Sequence, residues 1–157
     1  MAEFRVPTNA LPAEILSAEG RTLVGRIFVP ASAYRHTGAM RAEEWVDEAA
    51  HFFPFLADGA STSVILNKRQ ILVLSLPASA EGDRPEGEDE AATKRRISVR
   101  CGERSFEGTV LIEMPESQSR LLDHLNRPEP FLGLWDGQRH LLIHKDHITS
   151  VQENREG

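Results

Sequence analysis

A chain of 157 residues with 40% hydrophobic and 27% charged side chains has the make-up of a globular protein, enough for one ordinary domain or two very small ones. Its longest apolar stretch, Val64 to Leu76, is broken by Asn67-Lys68-Arg69-Gln70, well short of the ~20 residues of a membrane helix. The start Met1-Ala-Glu-Phe-Arg lacks the basic region and apolar run of a secretory leader, so a cytoplasmic protein with no membrane partner is expected. Cys101 stands alone, which excludes an intramolecular disulfide or a multi-cysteine zinc site. The net charge of −6 is concentrated between residues 81 and 90, where six carboxylates face only Arg84 and leave the remaining chain nearly neutral, without the basic surface of a non-specific nucleic-acid binder.

In chain order, Ala13 to Val29 reads as two strands around a turn at Glu19-Gly20, with Gly25 inside the second strand and Pro30 at its end. The spacing of Trp45 with Ala49 and of Val46 with Ala50 predicts a short helix over Arg41 to Ala50 with one buried stripe. His51-Phe52-Phe53-Pro54-Phe55-Leu56 is an aromatic strand whose alternation puts Phe53 and Phe55 on one face and Phe52 on the other. Asp58-Gly59 signals a hairpin, and Val64-Ile65-Leu66 forms its return strand. The polar run Asn67 to Gln70 then suits a single 3₁₀ turn before Ile71 opens a last strand.

Ala78 to Thr93 has no large apolar side chain and reads as an acidic flexible linker. Beyond it the same signals return. Two strands over Ile97 to Glu113 surround Gly102-Glu103, with Gly108 inside the second strand and Pro115 after it, and a helix over Arg120 to Asn126 buries Leu121 and Leu125. Aligning Asp58-Gly59 with Asp136-Gly137 sets Phe53 against Phe131, Leu56 against Leu134 and Val64 to Leu66 against Leu141 to Ile143. Asn67 to Ile71 then faces His144 to Ile148. The expected architecture is mainly β with short helices (α+β): residues 1–77 form one small five-stranded barrel, 78–93 the linker and 94–157 a second barrel, each with its helix inserted after the second strand.

The run from Ile97 to Val110, a strand, a glycine turn and a strand bent at Gly108, resembles the first motif of the Sm-like family of small SH3-like barrels. His140 to Val151 resembles its second motif. The resemblance implies barrel architecture, as a tandem duplication. It departs at the nucleotide-binding positions, since Asp123 and Asn126 fall on the predicted helix and His144-Lys145 and Asn67-Lys68 lack the glycine that follows the basic residue in that family.

Candidate chemistry is sparse. His140, His144 and His147 with Asp146 could be metal ligands of a metal-dependent enzyme. On an extended strand, however, His140 and His144 lie roughly 13 Å apart, and solvated strand-face histidines are the simpler expectation. Glu43, Glu44, Asp47 and Glu48 crowd one short helix without an accompanying nucleophile or phosphate loop, as an outer helical face does. No catalytic residue and no cofactor is expected. Lys68, Arg69, Lys145 and the run Lys94-Arg95-Arg96, followed by Arg100 and Arg104, carry the alternative of RNA binding, with the linker's carboxylates able to lie against that run. The surplus aromatics Phe52, Phe55, Trp45 and Trp135 favour a non-catalytic protein-binding or scaffold module whose partner is another protein, a homo-oligomer being one form of this.

Overall fold

The structure, a computed structural model, describes residues 8–30, 42–48, 50–78, 93–112 and 121–154, with no side-chain detail at positions 43 and 93. The linker apart from Ala78 and Thr93, and Ala49 and Pro115, lie outside the described residues. The strands are β1 (Thr8–Ser17), β2 (Thr22–Pro30), β3 (Phe52–Ala57), β4 (Val64–Asn67) and β5 (Ile71–Pro77), then β6 (Thr93–Cys101), β7 (Arg104–Ile112), β8 (Phe131–Asp136), β9 (Arg139–His144) and β10 (Ser150–Glu153). Helix α1 (Ala42–Val46) precedes β3 and α2 (Leu121–Leu125) precedes β8, each shorter than its periodicity predicts. A 3₁₀ turn joins β4 to β5 at Lys68–Gln70 and β9 to β10 at Lys145–His147.

All strand pairs are antiparallel and belong to one sheet of order β10-β6-β7-β8-β9-β5-β1-β2-β3-β4. Each half therefore arranges its strands fifth, first, second, third, fourth, and no strand crosses into the other half. The halves meet at a seam where β5 pairs with β9, Leu74 lying opposite Leu142. Among the described residues the sheet is open, with β4 and β10 as its two edges.

Two apolar clusters fill the halves, but the seam blends them. Trp45, Val46, Phe53, Phe55, Leu74 and Leu76 of the first half enclose Phe131 and Leu142 of the second. Leu72 and Val73 of the first half pack with Ile97, Val99, Val110 and Ile143. The register of β5 against β1 shifts between Leu16 and Ser17, leaving Leu72 as an extra residue, so that Ile71, Leu74 and Leu76 join the first cluster while Leu72 and Val73 join the second, and six of its seven residues are buried. Polar contacts also cross the seam: the Phe131 N–H donates to Asp47 Oδ1 at 3.3 Å, Arg139 Nε to Ser75 Oγ at 2.6 Å, and His147 Nε2 lies 2.9 Å from the Arg69 carbonyl, to which it must donate.

Equivalent residues of the two halves do equivalent work. A Cβ at Gly25 would meet the Leu56 carbonyl and the Phe55 ring of β3, and one at Gly108 the Trp135 carbonyl and Leu134 of β8, so each glycine lets its strand lie close to the next. Ile71 and Ile148 both follow a 3₁₀ turn, with φ −81° and −78°, and each N–H bonds the carbonyl three residues back, Lys68 or Lys145. The Asn67 side chain accepts from the Arg69 N–H at 3.0 Å just as His144 Nδ1 accepts from the Asp146 N–H at 3.1 Å.

The sequence alignment of the third strands needs one correction. Phe52 pairs with Asn67 while Phe131 pairs with His144, so Phe52, not Phe53, is the counterpart of Phe131; likewise Phe55, not Leu56, is the counterpart of Leu134. The two Asp-Gly pairs are not equivalent. Asp136 is the last residue of β8, and the loop is Gly137-Gln138, with glycine first at φ +57° as a type II′ turn requires. Asp58 lies beyond β3, and its N–H bonds the Val24 carbonyl of β2. The first hairpin loop is longer, and matching dipeptides shifted the strand by one.

Candidate functional site

Strand β3 is framed by Pro54, which has no N–H to give a ladder. Phe53 and Phe55 turn into the core, where the Trp45 ring meets Phe53 edge-on at 5.0 Å. Phe55 and Trp45 are thus core residues and not surface contacts. Trp135 is half-buried and stacks flat on His140 at 3.9 Å. Phe52 points the other way and is 61% exposed, as alternation predicts. Next to it on the open edge, Val64 and Ile65 are exposed as well, Ile65 by 74%. These two belong to the residues that sequence reasoning missed, because exposure of a strand edge depends on which strand lies beside it.

The basic candidates separate. Lys68 is buried. Its Nζ donates to the Trp45 carbonyl at the end of α1 at 2.8 Å and sits 4.8 Å from the Trp45 ring centroid, and burial pulls its pKa down against the opposing pull of Glu48 and Asp47. Lys145, its counterpart, donates to the Arg127 carbonyl just after α2 at 2.9 Å, and burial lowers its pKa also. Both lysines satisfy carbonyls at the ends of short helices. On β6, Arg95 pairs with Glu153 at 3.4 Å, and Lys94 and Arg96 are exposed on one face with Arg100, whose Nε donates to the Gly102 carbonyl at 3.0 Å. Arg69 is exposed on the first 3₁₀ turn. Arg69 adjoins Lys68 on that turn, whereas Lys94, Arg96 and Arg100 lie on β6.

The histidines are the clearest correction to expectation, since His140 and His144 are buried and not solvated. The seam explains this: β5 and the ring of Phe131, 4.8 Å from that of His144, cover positions that an edge strand would leave wet. Among the described residues no three His, Cys, Asp or Glu side chains converge as metal ligands. Of the acidic helix residues, Asp47 serves the seam. Cys101 is buried and its thiol pKa is raised by burial, as for a packing residue. No described helix is long and apolar enough to cross a membrane.

Compared with protein-family models, curated proteins and solved structures, the chain gives no significant match.

Burial lowers the pKa of His144, with Asp146 opposing and His147 and Arg69 reinforcing, and burial likewise lowers that of His124, reinforced by Arg127 and Lys145. A histidine whose folded pKa lies below its ordinary value of about 6.5 binds protons more readily when unfolded. Its contribution to stability is complete above that pH and falls away as the pH drops toward the folded value. The urea midpoint should therefore hold steady from about pH 8 to 7 and decline below about 6.5. His144→Asn, which supplies the side-chain acceptor used by the first half at Asn67, should make the decline shallower. An unaltered slope in that variant would show that His144 titration is not its cause.

Proposed function

We propose that this chain is a non-catalytic protein-binding or scaffold module built from two tandem SH3-like, Sm-like barrels, and that the open β3–β4 edge is its docking surface. The carrying observation is that Phe52 of β3 and Ile65 of β4 are exposed on one face of the sheet and Val64 on the other, along a strand whose outer side pairs with no other strand among the described residues. An added strand could pair with that outer side and cover apolar side chains there, the common mode of strand addition to a sheet edge. The commitment of Lys68 and Lys145 to helix-end carbonyls supports this reading over the RNA-binding one, which would rest on Lys94, Arg96 and Arg69.

Affinity purification with the full chain as bait tests it, identifying both protein and nucleic acid in the eluate. Retention of a protein that is lost on Phe52→Asp and on Ile65→Asp is expected. Salt-sensitive retention of RNA that is untouched by those changes but weakened by Arg96→Glu would replace this reading with the other.

A further inference from the structure

The seam and the open edge are made of counterpart residues in opposite states. Phe131 is 6% exposed and its counterpart Phe52 is 61%; Leu142 is 1% exposed and its counterpart Ile65 is 74%. What covers Phe131 and Leu142 is the neighbouring half, which supplies its fifth strand β5 to the ladder and the side chains of α1 to the cluster. The helices differ in the same way. Ala42, Trp45 and Val46 of α1, which lies against β8 across the seam, are all buried, whereas no residue of α2 is buried and Leu122 is 66% exposed.

The second half carries everything the open β4 edge lacks: a fifth strand, β10, that is itself a free edge, and a helix with an uncovered apolar side chain. The backbone phases agree as well. Lys68 N–H bonds the His51 carbonyl, and hydrogen-bonded pairs alternate along an antiparallel ladder, so Leu66 and Val64 bond β3 and the Ile65 backbone faces outward. Asn154 N–H bonds the Arg96 carbonyl, so Gln152 and Ser150 bond β6 and the Val151 backbone faces outward. Val151 is the counterpart of Leu74, and Ile65 of Leu142, the pair that lies face to face at the seam.

We propose that a second copy of this chain docks β10 on β4, with Val151 opposite Ile65, and lays α2 over Phe52 and Ile65. This rests on the protein-docking reading of the β4 edge and names its occupant. Two different surfaces meet, so the contact is heterologous: each copy presents one β4 and one β10, and association continues until a ring closes or a chain extends.

The test uses the purified full chain in sedimentation experiments over a wide concentration range. Wild type should form species well above twice the 17.5 kDa chain. Ile65→Asp, which changes an exposed side chain, should be monomeric. Val151→Pro removes only an outward N–H from β10 and should be monomeric too, with Glu153→Pro as a second variant should the first lose its circular dichroism. Mixing a β4-edge variant with a β10-edge variant should yield dimers and nothing larger, since one intact surface of each remains. A monomeric wild type, a monomeric mixture, or a variant that dimerises alone would each overturn the proposal. A monomeric wild type that still retains a protein partner lost on Ile65→Asp would leave the docking reading intact, and self-association indifferent to Ile65→Asp would remove both.

Discussion

Phe55→Ala should cost about 3–5 kcal/mol of unfolding free energy, while Phe52→Ala, three residues away on the same strand, should change it by less than about 0.5 kcal/mol. The difference follows from the pleat. Phe55 is fully buried in one cluster with Ile15, Ile27, Phe53 and Leu74, so truncation leaves a cavity that its close-packed neighbours fill only in part. Phe52 lies on the opposite face with solvent around its ring. Any association at the β4 edge would add a concentration-dependent term to both measurements. Urea unfolding is therefore best compared in the Ile65→Asp background, where the midpoints report the fold alone. Losses of similar size at the two positions would mean that Phe52 is covered within the chain.

Gly25→Ala should destabilise by about 3 kcal/mol, and Gly108→Ala by somewhat less. In an unconstrained strand the same change would be mildly favourable, because alanine loses less backbone freedom on folding. Space reverses the sign here. A Cβ on Gly25 would run into the Leu56 carbonyl and come within 2.8 Å of both the Ala57 Cα and the Phe55 ring, and backbone atoms of a paired strand cannot step aside. At Gly108 the nearest atom would be the Trp135 carbonyl oxygen at 2.9 Å, a contact that a small shift of β8 relieves in part. Thermal melts of both variants give the order. A stabilised Gly25→Ala would show that β2 and β3 do not approach as closely as the sheet requires.

Much of the framework was legible because it is local. Turn glycines, alternation along Phe52 to Phe55, and the polar runs before Ile71 and Ile148 each announce a backbone conformation within a few residues. The one-residue slip in the third strand arose where two hairpin loops of unequal length share an Asp-Gly pair, and only the ladder partners of Phe52 and Phe131 reveal it. The candidate site was half legible. Parity separates Phe52 from Phe53 and Phe55, but apolar content alone does not say which side of a sheet is covered, and Phe55 and Trp45 are buried. The burial of His140 and His144 leaves no local sign for the converse reason: it is imposed by β5, more than sixty residues earlier in the chain. Lys68 gave no local sign that its charge would end against the Trp45 carbonyl.

The placement of β5 has a thermodynamic consequence. Since this strand gives side chains to both apolar clusters, and its two ladders join it to β1 and to β9, neither half can lose its order while the other keeps a complete core. Two lobes with separate interiors would melt in two steps. This chain should instead unfold in a single cooperative transition, with calorimetric and van't Hoff enthalpies in agreement.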